Sequence, residues 1–196
     1  MAVIARRVTV NSATWLGRAT PSDIVEGKQW YAEAMAYAEF LSVTFNISKV
    51  VAAAVISALS PNNKWERNKI DAFNLIQAWW NAESIESVKV CTYNANKVKA
   101  WKVLTEGISI LRKSRKTHAF ALNVGMNDVD HVTLDKWMFR AFSTTSKKPI
   151  KCQESVTPKQ YDELSDIFCR FAKRKGYKPY ELQAILWVVI RKEWNT

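Results

Sequence analysis

Asp135 lies where a carboxylate could act on a substrate. Apolar residues flank it, with Val132 and Leu134 before it and Trp137 and Phe139 after it, which predicts an apolar helix beginning near Asp135. Burial at such a position disfavours the charged form of a carboxylate and makes it a candidate general base. Asp is also a common residue at helix N-termini, and that structural role alone would account for its position.

A basic loop is the second candidate site. It contains Arg112, Lys113, Ser114, Arg115 and Lys116, and Thr117 opens the predicted helix 117–124. Seven Lys or Arg and one acidic residue lie between positions 97 and 116. A helix N-terminus presents unpaired amides and the positive end of the helix dipole, so this loop is expected to bind phosphate. The alternative is a solvated charged turn.

The overall charge supports a polyanionic partner. The chain has 196 residues with 29 Lys or Arg and 18 Asp or Glu, which gives a formal net charge of +11. Its hydrophobic content of 48% and its nine Trp exclude a disordered basic tail, because that much apolar surface forms a core. Such a chain is expected to be one globular domain or two small lobes.

No apolar run approaches the ~20 residues that cross a bilayer, so we expect no membrane association and a cytoplasmic location. Three cysteines at wide spacing, Cys91, Cys152 and Cys169, predict reduced thiols. The less favoured alternative is a scattered zinc site that includes His118 and His131. We therefore expect no metal and no cofactor.

Helical periodicity dominates from residue 20 onward. The pattern predicts a helix after Pro21 that ends near Asn46, a buried central helix over 50–59, and a third helix capped by Asn62 or Asn63. Further helices are predicted near 85–90, 97–104, 117–124, from Asp135, over 158–175 and from Pro179. The fold class is therefore all-α, with residues 3–10 as the one segment where a strand is the alternative.

These segments resemble the helix-hairpin-helix DNA glycosylase superfamily, of which endonuclease III is the familiar member. In that superfamily a hairpin ends in a Lys-Thr pair that opens a helix, and a catalytic Asp later begins another helix with an Arg five residues on. Lys116, Thr117, Asp135 and Arg140 match this pattern. Residues 57–61, 93–97 and 183–191 resemble further family segments, so the resemblance covers residues 30–193. Small members carried by bacteriophages are the most similar, which implies the host cytoplasm.

The resemblance implies two helical lobes with a cleft between them. The central lobe would span 48–130, the second lobe would combine 21–47 with 131–196, and residues 1–20 would form an unassigned N-terminal arm. The partner would be DNA, the protein is expected to be a monomer, and the iron–sulfur cluster of some members is not expected because no Cys follows Cys169.

The implied activity is base excision on a base flipped out of the duplex. Asp135 would stabilise the oxocarbenium-like sugar or activate a nucleophile, and Lys116 would either attack the sugar, which gives lyase activity, or contact phosphate. DNA contacts are implied for Arg112, Lys113, Ser114, Arg115, Thr117, Asn62, Asn63, Lys64 and Arg140, and a base pocket for Ser60, Tyr93 and Trp137. The alternatives are a polar helix cap at 62–64 and core packing for the aromatic residues.

Several alternatives stay open at the level of sequence. A second register would place the catalytic acid at Asp130, but it shortens the spacing from Lys116 and loses the following Arg. Arg112 and Ser114 stand where the family hairpin has glycines, so charge would replace close backbone approach to phosphate. Other functions are a transferase that modifies hypermodified thymine in phage DNA and a non-catalytic DNA-binding module.

Overall fold

The computed structural model describes the backbone of residues 2–195 and the side chains of residues 6–195. Within these residues all regular secondary structure is helical, so the all-α prediction is confirmed. Two short 3-10 turns, Ile85–Ser87 and Ile108–Leu111, connect the α-helices. The helices are α1 Ala2–Leu16, α2 Pro21–Phe45, α3 Lys49–Leu59, α4 Trp65–Trp80, α5 Asn94–Glu106, α6 Arg115–Met126, α7 Lys136–Ser143, α8 Pro158–Arg174 and α9 Pro179–Asn195.

The chain forms two compact units. The terminal unit combines Met1–Ala32 with Val129–Thr196, and the central unit is Glu33–Asp128. Helix α2 therefore begins in the terminal unit and ends in the central unit. The lobes expected from the sequence assign all of 21–47 to the second lobe, whereas here the division falls within α2.

Helix α3 is the centre of the central unit. Eight of its eleven residues are buried, as expected for a helix that is apolar on all sides. The Ser48 hydroxyl caps its N-terminus by accepting from the Val51 amide, and α4, α5 and α6 pack against it. A Cβ at Gly125 on α6 would lie 2.9 Å from the Val50 Cα, so only glycine allows α6 to approach α3 this closely.

Helix α1 corrects the expectation for the first residues of the chain. Residues 3–10 are helical rather than a strand, and Val8 and Trp15 are buried in the core of the terminal unit. The β-branched residues of this segment favour strands, but Val8, Ser12 and Trp15 share one helical face and are all buried. Burial of that face decides the conformation.

Side chains of α1 hold the C-terminal end of α7. Asn11 Nδ2 donates to the Phe142 carbonyl at 2.7 Å, Arg7 donates to the Ser143 carbonyl, and Trp15 Nε1 donates to the Thr144 carbonyl at 2.8 Å. The last carbonyls of a helix have no partner within it, so these bonds satisfy them. Helix α7 has eight residues, too few for stability alone, and depends on such contacts.

Other local predictions had mixed outcomes. The capping box of Thr157 and Gln160 with Pro158 at the first helical position is confirmed. Asn62 and Asn63 do not cap α4, because Lys64 is the N-cap residue and gives no side-chain cap bond.

Within the described helices, none is by itself long and apolar enough to cross a membrane, and only α2 and α3 together, bent by 118°, pass that test.

Candidate nucleic-acid interface

The N-terminus of α6 is the first candidate binding site, and it lies in the central unit. Ser114 is its N-cap residue but forms no side-chain cap bond, because its hydroxyl instead accepts from Lys99 Nζ at 3.1 Å. The Thr117 hydroxyl donates back to the Ser114 carbonyl at 3.0 Å. No cap side chain therefore covers the amides at the start of α6, and they can receive an anion.

Cations surround this helix terminus. Arg112 and Lys113 are exposed and Lys116 is half-buried. Among residues 6–195, no acidic side chain pairs with Arg112, Lys113 or Lys116. Their positive charge is therefore not neutralised inside the protein, which is what phosphate binding needs.

Not every cation between positions 97 and 116 belongs to the candidate surface, which consists of the start of α6 and the cations around it. Lys97 Nζ donates to the carbonyls of Ile85 at 3.1 Å and Val88 at 3.0 Å, so it holds the first 3-10 turn. Lys99 lies beside Ser114 through the bond described above, although its spacing from the basic loop gives no sign of this. The structure thus adds Lys99 to the candidate surface.

The basic loop that precedes α6 does not need glycine. Arg112 has φ −51° and ψ −36°, and Ser114 has φ −105° and ψ 74°. Neither residue lies in the left-handed region that favours glycine. Side chains at these two positions therefore carry no backbone strain, and Arg112 adds positive charge.

The predicted contact loop 60–64 lies against the turn that contains Tyr93. Asn62 has φ 57° and its Nδ2 donates to the Tyr93 hydroxyl at 3.0 Å. Ser60 Oγ donates to the Ser57 carbonyl at 2.9 Å, which fixes the start of the loop. Tyr93 is 64% exposed, so its ring is open to a partner and is not part of the core.

A buried carboxylate holds this loop in place. Asp71 is fully buried and accepts from Asn63 Nδ2 at 2.9 Å, from Arg67 Nε at 2.8 Å and from the Cys91 amide at 2.8 Å. Asn63 therefore has a structural role that the sequence did not predict. Lys64 is exposed and lies next to it in the loop.

The same unit holds Thr117 close to the end of α3. The Ser57 hydroxyl on α3 donates to the Thr117 carbonyl in the first turn of α6. Loop 60–64 begins at Ser60, the C-cap residue that directly follows the end of α3 at Leu59. The structure thus brings Ser60, Asn62, Tyr93 and the start of α6 together within the central unit.

Asp135 is the N-cap of α7 in the terminal unit. Its Oδ1 accepts from the amides of Trp137 at 3.0 Å and Met138 at 3.1 Å, and its side chain is half-buried. Two amide bonds and the positive end of the helix dipole favour the charged carboxylate. Asp130, the alternative acid, is exposed and pairs with Lys173 Nζ at 2.6 Å.

Two buried tyrosines lie near Asp135. Burial raises the pKa of Tyr31 and Tyr161, and the negative charge of Asp135 contributes to both shifts. The Tyr161 hydroxyl accepts from the Leu134 amide at 2.8 Å and donates to the Val132 carbonyl at 3.0 Å. The residues before Asp135 are thus fixed by a phenol that stays neutral at physiological pH.

Arg140 has partners inside the protein. Its Nε donates to Glu154 Oε1 at 3.0 Å, and its guanidinium lies 4.5 Å from the ring centre of Trp137 and 5.4 Å from that of Trp194. Trp137 is half-buried and also lies 6.0 Å from the guanidinium of Arg191. The sequence did not indicate Arg191 as a site residue.

The candidate residues fall into two groups. Asp135, Trp137 and Arg140 belong to the terminal unit, and the other predicted site residues belong to the central unit.

Within residues 6–195, no group of three or more His, Cys, Asp or Glu side chains is arranged to hold a metal ion. All three cysteines are free, with Cys91 exposed, Cys152 half-buried and Cys169 buried.

Comparison with known proteins places the chain in a family. A family model described as a family of unknown function, DUF7178, matches residues 2–194. The chain belongs to the DUF7178 family. A search of curated proteins and a search of solved structures each found no match. The matched range spans both units and includes all of the candidate residues.

Proposed function

We propose that this DUF7178 protein binds DNA and excises a modified or damaged base from it by cleaving the N-glycosidic bond. DNA binding rests on one observation above all, the uncapped N-terminus of α6 with unpaired Arg112, Lys113 and Lys116 around it. Amides and cations at one helix terminus fit a phosphate of the DNA backbone. The net charge of +11 supports the same partner.

The proposed reaction depends on Asp135. Cleavage of an N-glycosidic bond develops positive charge on the sugar, and a fixed carboxylate stabilises that charge. Asp135 accepts two amide hydrogen bonds, so the orientation of its carboxylate is fixed. The resemblance to helix-hairpin-helix glycosylases supports this role, since the matching Asp of that superfamily is catalytic.

Lys116 is the candidate for a second step. A deprotonated amine can attack the sugar carbon, displace the base and form a Schiff base, after which the strand breaks. The alternative is a phosphate contact by the charged amine. Lys116 has no acidic partner among the described residues, which suits either role.

Duplexes with single modified or damaged bases test the proposed reaction. Incubation followed by alkali and a denaturing gel should show alkali-dependent strand breaks with the wild-type protein. The variant Asp135→Asn keeps an oxygen that can cap α7 but lacks the charge, so base release should fall by about 100-fold or more while folding is retained. Release unchanged in Asp135→Asn would contradict the catalytic role.

Borohydride trapping tests the lyase step. A Schiff base between the protein and DNA should be trapped in the wild type and lost in Lys116→Ala, whereas Lys113→Ala should keep it. Trapping that survives in Lys116→Ala would assign the nucleophile to another amine. No trapping in the wild type, with base release intact, would leave Lys116 as a phosphate contact.

A non-catalytic DNA-binding module is the second candidate. It is favoured by the observation that Asp135 already serves as the N-cap of α7, a role that accounts for this residue without chemistry. Under this alternative, Asp135→Asn binds DNA as the wild type does and no substrate is cleaved. Tight binding together with intact strands across the whole panel would select it.

A further inference from the structure

Trp137 in the terminal unit is surrounded by cations. Arg140 lies 4.5 Å from its ring centre, Lys136 Nζ lies 5.8 Å away, and Arg191 lies 6.0 Å away. Arg191 also lies 4.1 Å from the ring centre of Trp187, the shortest of these contacts. Helices α7 and α9 supply these side chains and pack against each other. Two tryptophan rings therefore hold the guanidinium of Arg191.

Arg191 differs from Arg140 in what its N–H groups contact. Arg140 donates to Glu154, so much of its charge is neutralised. Within residues 6–195, Arg191 has no hydrogen bond and no ion pair, and its guanidinium contacts the rings of Trp137 and Trp187. The five N–H donors of its guanidinium therefore lack a protein acceptor.

The acidic residues nearest in sequence are otherwise engaged. Glu193 lies 3.8 Å from Arg18, and Glu181 lies 3.7 Å from Lys178. Arg191 is half-buried, so its side chain is held in place while its donors remain without a partner. A stacked guanidinium keeps its N–H groups in the plane of the group, directed away from the rings on which it packs.

We propose that Arg191, held by Trp187 and Trp137, binds a phosphodiester of DNA. A planar guanidinium fits two oxygens of a phosphate, and restriction by stacking reduces the entropy lost on binding. Lys136 is exposed and adds positive charge beside the Trp137 ring. The aromatic surface continues from Trp187 to Trp30, whose ring centres are 6.4 Å apart, and such rings suit the bases of a nucleic acid. This inference rests on the proposed function.

The test compares two arginines of the terminal unit. Arg191→Gln removes the proposed phosphate contact. Arg170→Gln makes the same change of charge at an exposed position on α8, where the arginine has no hydrogen bond or ion pair within residues 6–195. Binding of a labelled duplex is measured from low to high salt. We expect Arg191→Gln to weaken binding about tenfold and to reduce the salt slope by about one, with less than a twofold change for Arg170→Gln.

Arg191→Lys provides the second variant. It keeps the charge but loses the planar group, so affinity should fall between those of the wild type and Arg191→Gln. Circular dichroism checks that each variant keeps the helical content of the wild type. Equal affinity of the wild type and Arg191→Gln for DNA, with both folded, would overturn the proposal, as would equal losses in Arg191→Gln and Arg170→Gln.

A calorimetric titration with inorganic phosphate tests whether the site binds a phosphate of the DNA backbone or a free phosphate ion. Loss of DNA binding in Arg191→Gln supports a site for the DNA backbone. Binding of inorganic phosphate that is lost in Arg191→Gln while DNA binding is unchanged would assign the site to a free phosphate and overturn the proposal.

The variant Lys116→Ala separates this proposal from the proposed function. If Lys116→Ala weakens DNA binding and Arg191→Gln does not, the interface at α6 stands and the inference on Arg191 fails. If the wild type binds neither duplex nor single-stranded DNA, the proposed function and this inference both fail.

Discussion

Asp135 has one observed role, as the N-cap of α7, and one proposed role, in catalysis. Its Oδ1 caps α7 by accepting from the amides of Trp137 and Met138, and the proposed reaction uses the negative charge of the same carboxylate. A cap needs only an oxygen acceptor, whereas stabilisation of a cationic sugar needs the negative charge. The two roles can therefore be separated by replacing the residue with Asn or with Ala.

Stability should respond to these two replacements differently. Asp135→Ala leaves the first amides of α7 without a partner and should lower the free energy of unfolding by about 1 kcal/mol. Asp135→Asn retains an acceptor oxygen and should lower it by less than about 0.5 kcal/mol, because Asn and Asp are similar as caps. Urea unfolding followed by circular dichroism measures both. Equal losses in the two variants would show that the charge, and not the cap, stabilises α7.

At the scale of helices, the sequence predicted those helix boundaries that are set by residues close together in the chain. The start of α8 was predicted because Thr157, Pro158 and Gln160 form a complete capping signal. The strand alternative for residues 3–10 was wrong because burial of Val8 and Trp15 outweighed local β preference.

Contacts distant in sequence explain what could not be predicted. Asn63 donates to Asp71 and does not cap α4. Lys97 donates to a backbone carbonyl of the first 3-10 turn and is not part of the candidate surface at the start of α6. For the candidate site, the positions of Asp135 and the basic loop could be predicted from patterns along the chain. Arg191 could not, because its contact with Trp187 is local to α9 but its second ring contact, with Trp137, lies on a different helix.

The start of α2 makes stability depend on pH. Asp23 is 5% exposed, and its carboxylate accepts from the amide and hydroxyl of Thr20 and from Lys192 Nζ at 3.1 Å. Burial alone would raise the pKa of Asp23, but the bonds from Thr20 and Lys192 outweigh it and lower that pKa below its ordinary value. The folded state therefore favours the charged form.

The sign of the pH effect follows from this lowered pKa. The stabilisation is fully present above the pKa of Asp23 in the unfolded chain and is lost as pH falls through the lower pKa of the folded state. Asp23→Ala should lower the free energy of unfolding by about 1–2 kcal/mol at pH 7, and the difference from the wild type should shrink below about pH 4. Urea titrations at several pH values measure this. A difference independent of pH would exclude the charge as its source.

For the whole molecule, the excess of positive charge should control the affinity for DNA. Five cations lie in the basic loop and around the start of α6, namely Lys99, Arg112, Lys113, Arg115 and Lys116. If each contacts one phosphate, these five cations should contribute roughly −4.5 to the slope of the logarithm of the binding constant against the logarithm of salt. Fluorescence anisotropy of a labelled duplex from about 50 to 200 mM salt measures this slope. Affinity independent of salt would contradict the electrostatic basis of binding.

The order of the two units along the chain has a consequence for biosynthesis. The central unit is one continuous segment, Glu33–Asp128, whereas the terminal unit joins residues from before and after it. On the ribosome the central unit can therefore close its core around α3 while residues 129–196 are still being made. Helix α1 must wait for α7, α8 and α9, which carry the surfaces that bury Val8 and Trp15. During that interval its apolar face is exposed to chaperones and to other nascent chains.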